Sequence, residues 1–210
     1  MRGWHGRVRP GGELVGYRHR PGRAGPRLPS VRCVERGTTM NPERFWAIIA
    51  EACPSDPRRS EEWAEGLRAV LSKHPPDEII EWNHIFDRLA AQAYTVDLWA
   101  AAYTINGGAS DDGFYYFRCW LICMGREVYE AAVANPDSLA DVVVPEIDAE
   151  AETYAAAHQA WMEVTGRPDT DPYPARKEAA ELRGEDWDFD DEKEVRRRLP
   201  RLAVLYREEL

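Results

Sequence analysis

The sequence predicts an all-α fold: one irregular helical bundle around a buried helical hairpin at about 96–134. Three observations predict it. Apolar residues recur at helical spacing from Met40 onward, no segment alternates convincingly as a strand, and 96–134 is apolar on nearly every helical direction.

Each element follows from local signals. At "MNPERFW", Asn41 suits an N-cap, Pro42 the first helical position and Glu43 the positive end of the dipole, so a helix is expected over 43–52. Ser60 is the expected cap of the next helix, which carries Trp63, Leu67, Val70 and Leu71 at i, i+4, i+7 and i+8. The Pro75-Pro76 pair opens a third, with Ile79, Trp82, Phe86, Leu89 and Ala93 down one face. Residues 96–105 are apolar apart from Asp97, and Asn106-Gly107-Gly108 supplies permissive backbone to end them.

The hairpin's second arm is expected as one helix over about 111–134, with Phe114, Phe117, Leu121, Met124 and Val128 in a stripe. "ANPDSLAD" stops it. A further helix is expected over 146–165, with Ile147, Ala151, Tyr154, His158, Trp161 and Met162 inward and Gly166 at its end. Beyond it come an acidic loop, a short charged helix and a last piece docking Leu199, Leu202, Val204 and Leu205.

Charge divides the chain. Residues 1–39 hold nine Arg against Glu13 and Glu35, a net of +7, so 40–210 carry −17 of the overall −10. Glycine and proline throughout 1–39 predict a disordered basic extension, with Met40 an alternative translation start. The acidic remainder, 40–210, reads as one domain that phosphate backbones repel, so nucleic acid is not expected as a partner of the folded part. A protein partner with a basic surface is.

Cys33, Cys53, Cys119 and Cys123 form no CxxC pair and read as free thiols of a cytoplasmic protein. No run of about 18 apolar residues is present, so no membrane partner is expected. Cys119 and Cys123, at i and i+4, could share a metal with His84 or His158, but no further ligand completes a zinc set; no metal and no cofactor are expected.

The stretches "FWAIIAEA" at 45–52, "LWAAAYTINGGASDDGFYYFRCWLICMGREVYEAAVANPDSLAD" at 98–141 and "WDFDD" at 187–191 ahead of "LPRLAVLY" resemble a bacterial family, domain of unknown function 4240. The resemblance covers about 41–207. It implies a soluble helical protein with no established activity. It also implies a cysteine in many relatives where Ala109 stands, so that position holds no required thiol.

The candidate ligand-binding residues are Trp99, Tyr103, Ser110, Asp111, Asp112, Arg118 and Trp120. Ser110 with two following acids reads as a capped helix start, or as paired carboxylates for a cation or for acid–base work. Arg118 falls in the apolar sector, so it needs a partner: Asp111, Asp97, or a bound carboxylate or phosphate in a pocket lined by Trp99, Tyr103 and Trp120. "WDFDD" reads equally as a contact for a basic partner and as the cap of the helix after it. No catalytic residue is assigned and enzymatic activity is left open; no Ser-His-Asp order, Walker loop, GxGxxG or HExxH occurs. The first expectation is a non-catalytic protein-binding or adaptor module. The alternative is a small-molecule-binding regulator or enzyme with its site at the 110–120 helix mouth.

Overall fold

The computed structural model describes residues 40–54, 56–175 and 180–207, and in them the fold is all-α, with one isolated parallel bridge between Thr95 and Arg183. The extension expected before Met40, with Cys33, lies outside the described residues.

Helix α1 spans Pro42–Ala52, and the Asn41 side chain accepts from the Arg44 amide at 2.9 Å. A 3-10 segment, Pro57–Glu62, leads into α2, Trp63–Leu71. Ser60 is not the cap of α2: it lies inside the 3-10 segment, whose first amides are taken by Asp56. The α2 face Trp63, Leu67, Val70 and Leu71 is buried as its spacing requires. Helix α3 spans Pro76–Gln92 and α4 Val96–Ile105, the latter capped by Thr95.

The second arm of the hairpin is two helices rather than one. Helix α5 runs Asp111–Cys123 and α6 Arg126–Ala134. Gly125 between them has φ +96°, a backbone region open to glycine, so the chain turns where the apolar stripe alone reads as continuous. Helix α5 touches α1, α3, α4 and α6, and Phe114, Phe117, Trp120, Leu121 and Cys123 on it are fully buried.

The helix expected from 146 begins ten residues late: α7 is Ala156–Thr165. Residues 149–153 instead bury Ala149, Ala151 and Thr153 while Glu152 is exposed and Glu150 half-buried. That two-residue period docks small side chains, and the Ala151 amide donates to the Tyr116 carbonyl at 3.2 Å. Tyr154, read as inward, is consequently 47 % exposed. Ile147, His158 and Met162 are half-buried, and Trp161 is buried.

A 3-10 segment, Pro136–Asp141, and helices α8, Glu192–Arg198, and α9, Pro200–Arg207, complete the bundle. Asp191 caps α8. Leu199 and Leu202 dock, but Val204 and Leu205 face outward: Pro200 starts a new helix and resets which residues share a face. No described helix is long and apolar enough to cross a membrane.

Candidate functional site

The α4–α5 turn places the candidate residues, and it does not bring them to one point. Ser110 Oγ accepts from the Gly113 amide at 3.1 Å, so the hydroxyl is the N-cap of α5. Asp111 and Asp112 follow in the first turn, both exposed, where the helix dipole favours negative charge. Trp99 donates from Nε1 to the Ala109 carbonyl at 3.0 Å and stacks on Phe114 with centroids 5.0 Å apart, closing the hairpin. The Tyr103 hydroxyl donates to Asp190 at 3.1 Å on the other side of α4. Trp120 is fully buried and stacked on Phe117, within the core.

Arg118 is the candidate that reaches a cavity. It does so without an ion pair: among the described residues no carboxylate, Asp111 and Asp97 included, lies within salt-bridge distance of its guanidinium. Its Nη1 donates to the Ala90 carbonyl at 2.8 Å and its Nε to the Phe114 carbonyl at 3.3 Å. Rings cover its faces, with Cζ 4.6 Å from the Tyr94 centroid, 5.0 Å from Phe114 and 5.3 Å from Tyr115. Burial pushes its pKa down from the ordinary arginine value, with nearby Cys119, Tyr115 and Tyr94 opposing.

The cavity, of about 210 Å³, lies between α3 and α5, and its described lining residues are Asp87, Ala90, Ala91, Tyr94, Tyr115, Arg118 and Ala180. Of these lining residues, every one except Arg118 was outside the expected site. A signal for four of them exists: Asp87, Ala90, Ala91 and Tyr94 fall at i, i+3, i+4 and i+7, one face of α3 whose two alanines leave room. Trp99, Tyr103 and Trp120, expected to line the Arg118 pocket, are not among its lining residues.

A second cluster forms on the outer side of α5. Tyr116 and Tyr154 stack with centroids 6.0 Å apart and planes at 20°, and Tyr115 adjoins both. Burial first, then Tyr154 and the charges of Glu152 and Asp112, raise the pKa of Tyr116. Glu150 lies near the start of α5, accepting from Asn106 Nδ2 at 3.3 Å, and burial followed by the charge of Asp148 raises its pKa.

"WDFDD" packs within the chain. Trp187 Nε1 donates to Asp97 at 3.1 Å, Phe189 packs on Tyr103, and Arg198 lies over the Trp187 ring at 5.1 Å. Cys53, Cys119 and Cys123 are free and buried, and burial raises the thiols of the latter two well above the ordinary value. Among the described residues no three His, Cys, Asp or Glu side chains are grouped to hold a metal ion.

No curated protein and no solved structure matches the chain. A family model does, described as "Protein of unknown function (DUF4240)", over residues 40–163, which take in the hairpin, the Arg118 cavity's α3 and α5 walls and the Tyr116–Tyr154 pair. The chain therefore belongs to the DUF4240 family.

Proposed function

We propose that the protein is a non-catalytic protein-binding module that receives a basic segment of a partner. The observation that carries this reading is the stack of half-buried Tyr116 on exposed Tyr154, with exposed Asp112 four residues before Tyr116 on the same helix and exposed Glu152 two residues before Tyr154. Aromatic faces attract guanidinium and ammonium groups, and adjacent carboxylates add charge-assisted hydrogen bonds. The face belongs to a body of net −17, which favours encounter with a basic partner and works against association with nucleic acid. The buried free thiols support a reducing, cytoplasmic setting.

The test uses a fluorescent hexa-arginine peptide and anisotropy across a salt series. Binding is expected to weaken as ionic strength rises, since the face is exposed. It is expected to drop at least several-fold in Tyr154→Ala and in Glu152→Gln, and to be unchanged in Val164→Ala, an exposed apolar control on α7. Equal binding by Tyr154→Ala, Glu152→Gln and wild type would remove this face as the site.

A further inference from the structure

We infer that the cavity between α3 and α5 is a binding site for a small organic monocarboxylate, with Arg118 as its anion-recognising residue. This site does not include Tyr116 or Tyr154, although Tyr115, which lines it, adjoins both. A guanidinium has five N–H groups; two of those of Arg118 are committed to the Ala90 and Phe114 carbonyls, which leaves three N–H groups on a side chain that lines the cavity. Its faces are covered by Tyr94, Phe114 and Tyr115, so a ligand meets the edge of the plane, where a carboxylate accepts two parallel hydrogen bonds.

Charge and shape select the class. Arg118 is the one cationic side chain among the described lining residues, and Asp87 lines the same space. The Ala90 carbonyl it holds belongs to the C-terminal turn of α3, whose partial negative charge offsets part of the guanidinium's. Such a site accommodates one negative charge better than the two of a phosphate. The other described lining residues are Ala90, Ala91, Ala180 and the rings of Tyr94 and Tyr115, against which an organic acid buries its carbon skeleton and an inorganic anion buries nothing. At roughly 30 Å³ per water, the 210 Å³ cavity holds about seven water volumes, which sets the ligand at under about ten heavy atoms. Arg118 binds and orients here, and no bond is made or broken.

The experiment titrates the ¹⁵N-labelled full chain with propionate, benzoate and inorganic phosphate at constant ionic strength, following the backbone amides of residues 90, 91 and 118. The two carboxylates are expected to give saturable shifts, with phosphate needing at least tenfold higher concentration. Ala91→Leu, which fills the cavity and leaves the bonds of Arg118 in place, is expected to abolish the shifts. Arg118→Lys, which keeps the charge and loses the planar fork, is expected to weaken them more than tenfold. Absence of saturable shifts with either carboxylate overturns the site. Phosphate saturating as readily as the carboxylates overturns the ligand class. Shifts that survive both substitutions overturn the location.

Discussion

Arg118 Nη1 donates to the carbonyl of Ala90 at 2.8 Å, so a cation on α5 caps the C-terminal end of α3. It has company there: the Tyr129 hydroxyl on α6 donates to the Leu89 carbonyl at 2.8 Å, and Arg183 Nη2 donates to that of Gln92. The last carbonyls of a helix have no partner within it, and two arginines at this end also oppose its partial negative charge. This arrangement explains how Arg118 stays half-buried without a carboxylate. The dipole and carbonyls of α3 supply what an ion pair would.

Arg118→Lys is expected to cost about 1–2 kcal/mol, because a single ammonium on a flexible stem cannot reach the Ala90 and Phe114 carbonyls together. Urea unfolding at neutral pH measures it. A variant as stable as wild type would mean that charge near the α3 terminus, rather than the fork, does the stabilising.

Asp137 is 5 % exposed, and its Oδ1 accepts from the amides of Arg201 and Leu202, each at 3.0 Å. A residue 64 positions upstream thereby caps α9 and holds the C-terminal helix to the body. Asp137→Asn is expected to cost about 1–2 kcal/mol, whereas Asp141→Asn, which breaks an exposed and solvent-screened pair with Arg201, is expected to cost clearly less. Parallel urea curves of the two variants give the comparison; equal losses would refute the buried cap.

Gly66 is where α2 meets α1. A Cβ there would stand 2.4 Å from the Ala52 carbonyl oxygen, a backbone atom that cannot swing aside. Helix propensity alone favours Gly66→Ala by about 1 kcal/mol, and overpacking opposes it by about 1–3 kcal/mol. The clash is expected to win, with a net loss near 1 kcal/mol and a lowered melting temperature. A rise would show that the helices lie further apart.

Glu150 titrates above the ordinary carboxylate value in the fold, because burial and Asp148 disfavour its charge. The folded protein then binds that proton more tightly than the unfolded chain. The associated stability is complete below the unfolded value of about 4.3 and is lost as pH rises through the higher folded one. Solvent reaches the carboxylate, so the loss is about 0.5 kcal/mol or less. Glu150→Gln keeps an acceptor for Asn106 and is expected to be flatter than wild type between about pH 4 and pH 7. Urea midpoints across that range check it, and an unchanged slope would contradict the assignment.

The described residues carry their secondary structure openly wherever spacing and capping decide it. Asn41, the Pro75-Pro76 pair and Ser110 each begin a helix because a free amide needs an acceptor or a pre-set φ, and both requirements are local. The core stripe of α5 is legible for the same reason: burial on nearly every side demands apolar residues at nearly every position. Where two periods compete the outcome is not local. "DAEAET" satisfies a helical pattern and an alternating one, and docking against α5 selects the alternating one. Gly125 permits either a continuous helix or a turn, and the packing of α6 selects the turn.

The site divides along the same line. That Arg118 needs a partner follows from its position in an apolar sector, and the sequence fixes that much through the cost of burying an unpaired charge. Which partner it takes depends on what stands opposite after folding. Asp111, seven residues along the same helix, was the near choice in sequence; the α3 carbonyls, 28 positions away, are the near choice in space. The cavity beside it exists because Ala90 and Ala91 face α5 across that interface. Sequence determined which residues are helical, buried and charged, since those depend on each residue and its neighbours along the chain. Tertiary structure decided which of them meet, since a helix end, a guanidinium and two alanines from separate segments form a site only once packing brings them together.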